Sequence, residues 1–139
     1  MRRHLLILLL MAPLSSLAAQ VAVVNPSVPE VSIDARRMAA LLQGRITTWE
    51  DGTPVVLVLA QDPLADVHLS HIAGREREVL LRGWKRLVFA GSGAMPLTAR
   101  SVEEGLALVA KTSGAVLLLD HADMDPRWRV MPITLTAER

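Results

Sequence analysis

Apolar and polar residues follow two different patterns along this chain. Four short runs are almost continuously apolar, which is typical of buried strands, and they fall at residues 21–25, 55–60, 115–119 and 129–133. The longer segments between them carry apolar residues three and four positions apart, which is the spacing of an amphipathic helix. Strands that alternate with helices predict a three-layer α/β fold, in which a mainly parallel sheet has helices on both faces.

Residues that start or stop helices refine these boundaries. Ser32 is a candidate N-cap, and Asp34 would then lie in the first turn and complement the helix dipole. Pro63 suits the first position of a helix, and Gly74 suits the position just after its end. Together the signals predict helices over 33–42, 63–73 and about 76–88, and a fourth helix after the capping box of Ser101 and Glu104.

The third of these helices has one clear apolar stripe. Its members are Leu80, Trp84, Leu87 and Val88. Residues at this spacing lie on one helix face, so we expect Trp84 to belong to the core and not to a ligand site.

The first 18 residues have the composition of a secretory signal peptide. Arg2 and Arg3 precede an apolar segment over 5–14, and Ser16-Leu17-Ala18 forms a small-x-small cleavage site. A membrane span would need about 20 apolar residues, so no stable membrane insertion is expected after cleavage. The sequence therefore predicts a signal peptide over 1–18, a single domain over 19–139 and a periplasmic location.

Loss of the signal peptide changes the net charge. The full chain has 15 Lys and Arg against 14 Asp and Glu, and loss of the two arginines leaves 13 against 14, a net charge of −1. Nucleic-acid sites usually need a concentrated basic stripe with aromatic platforms. Here the basic residues over 75–86 alternate with Glu76 and Glu78, so we interpret the segment as a solvated helix face with a Glu78–Arg82 pair. No nucleic-acid partner is predicted.

Residues suited to catalysis or metal binding are sparse. The chain has no Cys and no G-x-S-x-G motif, so we expect neither an enzyme nor a cofactor. His68 and His71 have a spacing that can chelate a metal, but they share a stripe with Leu64 and Val67, where half-buried histidines are common. The acidic residues over 120–125 lack the Gly and the distal Glu of a calcium loop. No metal site is predicted.

Polar residues at the ends of the predicted strands are candidate ligands. In parallel sheets, ligands bind beyond the carboxyl ends of strands, where helix N-termini present free N–H groups. That edge would hold Asn25, Gln61, Asp62 and the pair Asp120-His121. Asn25, Gln61 and Asp62 are the predicted ligand-binding residues.

One segment carries a family resemblance. Residues 41–53 read LLQGRITTWEDGT, in which Gly44 suits the end of a helix and Asp51-Gly52 suits a turn. The stretch resembles the L-G-K-I-T-x-W-x-D segment of the periplasmic phosphate-binding proteins that serve ABC importers, and of their short single-lobe relatives. Residues 23–26, 84–91 and 111–116 resemble further family segments in the same order.

The resemblance implies one lobe of a type II periplasmic binding protein and a degenerate anion site. The family places an Arg, an Asp and Ser-Gly-Thr after the strand that corresponds to 55–60. Residues 60–65 read AQDPLA here, so only Asp62 matches, and Pro63 lacks an N–H.

These features predict an exported, non-catalytic module that acts in ligand sensing or partner binding in the cell envelope. The alternative is a periplasmic phosphate- or oxyanion-binding protein of an ABC import system. The expected partners are phosphate or another small oxyanion, bound weakly, and an envelope protein or a second copy of the chain.

Overall fold

Six strands and four helices make up the part of the chain that the structure describes. The computed structural model describes residues 20–120 and 127–134, so the predicted signal peptide lies outside the described residues. In chain order the elements are β1 (Gln20–Val24), β2 (Ile33–Asp34), α1 (Ala35–Leu42), β3 (Val56–Ala60), α2 (Pro63–Ala73), α3 (Arg77–Phe89), β4 (Leu97–Ala99), α4 (Val102–Lys111), β5 (Ala115–Asp120) and β6 (Val130–Thr134).

The strands form one mixed sheet in the order β2-β6-β1-β5-β3-β4. The pairs β2–β6, β3–β5 and β3–β4 are parallel, whereas β1 runs antiparallel to both of its neighbours. The sheet is therefore mainly parallel, as predicted, with β1 reversed. Its register places Val24 opposite Val116 and Gln20 opposite Asp120, so β1 ends where β5 begins.

Each face of the sheet is covered by helices, which confirms the three-layer prediction. On one face, Leu57 and Leu118 pack with buried residues of α1, α2 and α3. On the other face, Val58 and Leu117 pack with α4. Successive strand residues point to opposite faces, so the continuously apolar runs supply both cores.

The helix boundaries agree with the capping signals at α2 and α4. Helix α2 begins at Pro63 and is closed by left-handed Gly74, and the Ser101 hydroxyl caps α4 by accepting from the Glu104 N–H. The start of α1 differs from the prediction. Asp34, and not Ser32, is its N-cap, because the short strand β2 holds Ile33 and Asp34 in extended backbone beside β6.

Two buried tryptophans connect distant segments. The indole Nε1 of Trp84 donates to the Leu42 carbonyl at the end of α1, at 2.8 Å, and that of Trp49 donates to the Gly114 carbonyl before β5, at 2.9 Å. Trp84 is fully buried, as its helical stripe predicted, and Leu80 and Leu87 pack in the same cluster. Val88, the fourth member of the predicted stripe, is only half-buried.

Among the helices of the described residues, none is long and apolar enough to cross a membrane.

Candidate functional site

The junction of β3 and α2 is the place where the family resemblance puts an anion. Asp62 is the N-cap of α2, and its Oδ1 accepts from the N–H groups of Leu64 at 2.9 Å and Ala65 at 3.1 Å. Pro63 has no N–H, and the N–H of Asp66 donates to the Asp62 carbonyl. Every backbone N–H in the first turn of α2 thus has an acceptor within the chain. The Asp62 carboxylate occupies the position that a bound anion would take at a helix N-terminus.

A cation does approach this junction, although it comes from a different helix. Arg77, at the start of α3, donates to the carbonyl of Ala60, the last residue of β3. Its guanidinium also pairs with Asp66 on α2, with Nε and Nη2 at 2.7 and 2.5 Å from Oδ1. The Arg77 side chain is 16% exposed. These contacts connect α3 to β3 and α2. The partners of the guanidinium therefore belong to the chain itself.

Asn25 lies at the opposite edge of the sheet from Gln61 and Asp62. The prediction that these three residues share one edge is wrong, because β1 is antiparallel and its carboxyl end lies beside Ala115, where β5 begins. Asn25 is 8% exposed, and its Nδ2 donates to two carbonyls at the end of α4, those of Val109 and Ala110, at 2.8 and 3.1 Å.

The remaining polar group of Asn25 also has a partner. Its Oδ1 accepts from the N–H of Ser27 at 2.9 Å. The side chain closes the C-terminus of α4 against the start of β5, so its amide is used inside the fold.

Gln61 and Asp62 do lie at one edge, and the backbone of Asp120 ends β5 at the same edge. The Gln61 N–H donates to the Ala99 carbonyl of β4, and the Gln61 side chain is exposed. His121 and the acidic residues over 121–125 lie outside the described residues. A cavity of about 60 Å³ adjoins this edge between α2 and the start of α4, and Asp62 and His68 are among its lining residues.

The two histidines of α2 do not face the same surroundings. His68 is half-buried and its Nδ1 lies 2.7 Å from Nε2 of Gln20, whereas His71 is exposed. Leu64 and Val67, expected beside them on a half-buried stripe, are 68% and 63% exposed, because α2 packs through Leu69 and Ala73 instead. Within residues 20–120 and 127–134, no group of three or more His, Asp or Glu side chains could hold a metal ion.

Comparison of the fold with solved structures identifies its architecture. A putative phosphate ABC transporter substrate-binding protein from Clostridium perfringens, solved with bound phosphate, matches with a TM-score of 0.62 and 14% identity over 84% of this chain. This chain has the fold of one periplasmic binding protein lobe. An ABC-type phosphate transport receptor from Vibrio cholerae matches with a TM-score of 0.61 and 16% identity over 87% of this chain.

The periplasmic binding protein lobe seen here spans less than half of either neighbour, 44% and 47% of their lengths. No protein-family model matches the sequence, and no curated protein matches it either. The neighbours therefore establish the fold of the chain.

The role of Arg77 was not visible in the sequence. Arg77 and Asp66 are 11 residues apart on two different helices, so no helical spacing rule connects them. Only the turn between α2 and α3 brings the guanidinium back to the end of β3. The acceptor role of Asp62, by contrast, follows from an Asp that directly precedes Pro and a helix.

Proposed function

We propose that this chain is an exported, non-catalytic binding-protein lobe that acts in ligand sensing or partner binding, with an anion site that has become degenerate at the start of α2. The observation that carries the proposal is the first turn of α2, in which every backbone N–H already has an acceptor within the chain. Asp62 accepts two of its N–H groups and Pro63 lacks one. A phosphate at this position would have to displace a carboxylate that is covalently part of the chain.

The energetic consequence is weak phosphate binding at this junction. A hydrogen bond to a charged group contributes about 1.5–3 kcal/mol. The absence of the family's Arg and of two hydroxyl donors therefore removes roughly 4–9 kcal/mol if the contributions add, and each 1.4 kcal/mol is about tenfold in affinity. The negative charge of Asp62 further repels a phosphate dianion.

Calorimetric titration of inorganic phosphate into the purified, phosphate-free protein tests this proposal. We expect a dissociation constant in the millimolar range, since micromolar binding would weaken by about a thousandfold for a loss of 4 kcal/mol. A dissociation constant at or below about 10 micromolar on the same scale would overturn the proposal and favour solute capture.

Substitution of Asp62 gives a sharper test, because it should create binding. Asp62→Ala frees the N–H groups of Leu64 and Ala65 and removes a like charge, so phosphate affinity should rise about tenfold or more. The loss of the N-cap should cost about 0.5–2 kcal/mol of stability. Asp51→Ala is the matched control, since it removes an exposed carboxylate from a distant turn. Equal affinity of the two variants would contradict the assigned role of Asp62.

The proposal that the protein is exported rests on its N-terminal sequence. Intact-mass analysis of the protein from the periplasmic fraction should find a chain that begins at Ala19. A full-length chain in the membrane fraction would refute the signal peptide and with it the proposed location.

The alternative is a phosphate- or oxyanion-binding component of an ABC import system. It is favoured by the two fold neighbours, which are described as phosphate transport proteins. Because the chain spans less than half of each neighbour, this function would require a second wall for the cleft, which a second copy of the chain could provide. Phosphate-dependent dimerisation in sedimentation velocity would support the alternative, and a monomer at all phosphate concentrations would speak against it.

A further inference from the structure

A groove lined by arginines lies at the far end of α2 from Asp62. Its volume is about 570 Å³. Four of its lining residues are arginines from three segments, Arg45 after α1, Arg75 between α2 and α3, and Arg82 and Arg86 on α3. Gln43, Val79, Leu80 and Gly83 complete the lining. Because α2 has 11 residues that rise 1.5 Å each, the groove and the N-terminus of α2 are roughly 16 Å apart along the helix.

No described ion pair involves the arginines of this groove. No acidic residue is among the lining residues, and all four arginines are exposed. Within the described residues, the ion pairs involve Arg37 and Arg77 instead. The expected Glu78–Arg82 pair is not formed there. Glu78 lines a separate depression with Asp66 and Arg77.

The arginines are also not used to close the ends of the neighbouring helices. The N–H groups of Gln43, Gly44 and Arg45 donate to carbonyls at the end of α1. At the end of α2, the Nε2 of Gln43 donates to the Ala73 carbonyl at 2.6 Å. The Oε1 of the same Gln43 accepts from Nε of Arg45 at 3.0 Å. Gln43 thus holds the guanidinium of Arg45 beside the groove and leaves its two NH₂ groups without a described partner.

We propose that the arginine groove binds a small molecule that carries two or more linked phosphate groups. Guanidinium groups bind phosphate oxygens through paired N–H donors, and four of them from three segments suit a ligand with oxyanions at several points. The groove volume lies within the range of about 300–1,000 Å³ that is usual for small-molecule sites. Arg82 and Arg86 are one helical turn apart, so their like charges repel each other and a bound anion would relieve that repulsion.

Calorimetric titration of sodium tripolyphosphate into the purified protein at low ionic strength tests the proposal. We expect one bound tripolyphosphate per chain, with an affinity that falls as salt is added. The double variant Arg82→Ala with Arg86→Ala should weaken binding by about a hundredfold, tenfold for each arginine at 1.4 kcal/mol apiece. Because both side chains are exposed, the variant should fold normally, which circular dichroism checks.

Arg36→Ala is the matched control. Arg36 is an exposed arginine of α1 that does not line the groove, and its substitution should leave tripolyphosphate affinity within about twofold. Sodium citrate, a carboxylate anion, should bind at least about tenfold more weakly than tripolyphosphate. The proposal is overturned if tripolyphosphate does not bind, if Arg36→Ala weakens binding as much as the double variant, or if citrate binds equally well.

The arginine groove goes beyond the function proposed above and can be tested apart from it. Asp62→Ala, which should create phosphate binding at α2, should leave tripolyphosphate binding at the groove unchanged. If Asp62→Ala does not create phosphate binding, the role assigned to Asp62 is wrong. If Asp62→Ala changes tripolyphosphate binding, the assignment of the groove is wrong.

Discussion

Replacement of Trp84 is the strongest test of how this lobe is held together. Trp84 lies on α3, has no exposed surface, packs in the core and donates from Nε1 to the Leu42 carbonyl at the end of α1, at 2.8 Å. Glycines surround its ring. A Cβ built on Gly93 would lie 3.0 Å from Cζ3 of Trp84, and one built on Gly44 would lie 3.5 Å from Cε2. Both backbone segments therefore approach the indole closely.

Two substitutions separate the packing contribution from the hydrogen bond. Trp84→Ala removes the whole ring and leaves a cavity, so the free energy of unfolding should fall by about 3–5 kcal/mol. Trp84→Phe keeps most of the apolar volume but leaves the buried Leu42 carbonyl without its donor, which should cost about 1–3 kcal/mol. Domains of this size are stable by only about 5–15 kcal/mol, so the Phe variant keeps the test informative if the Ala variant unfolds.

Urea denaturation followed by far-ultraviolet circular dichroism measures both changes without relying on tryptophan fluorescence. Phe89→Ala is the control on the same helix, because Phe89 is 83% exposed and its loss should change stability by less than about 0.5 kcal/mol. The reasoning is refuted if Trp84→Ala is as mild as Phe89→Ala, or if Trp84→Phe is as damaging as Trp84→Ala.

Three further predictions concern local structure. Gly114→Ala should destabilise the fold by more than about 2 kcal/mol in thermal denaturation, because φ is +74° and the new Cβ would lie 2.1 Å from the Pro54 carbonyl oxygen; an unchanged melting temperature would contradict this. Asn25→Ala should cost about 1–3 kcal/mol in urea denaturation and leave phosphate binding unchanged, since its amide serves α4; a change in phosphate binding alone would restore it as a ligand. The pKa of Asp51 should lie below its ordinary value in a carboxyl NMR titration, because the side chain and N–H of Thr53 donate to its carboxylate. The Asp51 carboxylate then stabilises the turn at pH values above its pKa in the unfolded chain, and this stabilisation is lost as the pH falls through its pKa in the folded chain. A raised pKa would refute the contact.

The sequence by itself determined the elements whose signals are local. Periodicity and capping placed α2 at Pro63–Ala73, ended by Gly74, and placed Ser101 at the start of α4. The apolar runs marked β3 and β5 to within a residue. These signals were sufficient because a cap, a left-handed glycine and a buried stripe each depend on residues within one or two turns. The same local logic explains why Asp62 is the N-cap of α2, although the sequence analysis predicted it only as a ligand-binding residue.

The short strands could not be predicted from local signals of this kind. Strands β2 and β4 have only two and three residues, too few for a period of two to emerge, and they exist because β6 and β3 supply their hydrogen bonds. The five residues of β1 likewise do not indicate that this strand runs antiparallel to its neighbours. Strand direction depends on how the chain crosses the sheet. The direction of β1 places Asn25 at the edge of the sheet opposite to the one that holds Asp62.

Tertiary structure also decided where the charges lie. Glu78 and Arg82 have the spacing of an ion pair, yet Glu78 lines a depression with Asp66, and Arg82 lines the groove with Arg45. Arg77 reaches the end of β3 only because α3 folds back over α2. Exposed helical ion pairs contribute only about 0.2–0.5 kcal/mol, which is less than the burial of Leu80 and Trp84 in the core. The rotation of α3 is thus set by its apolar face, and the charged side chains take the positions that this rotation leaves to them.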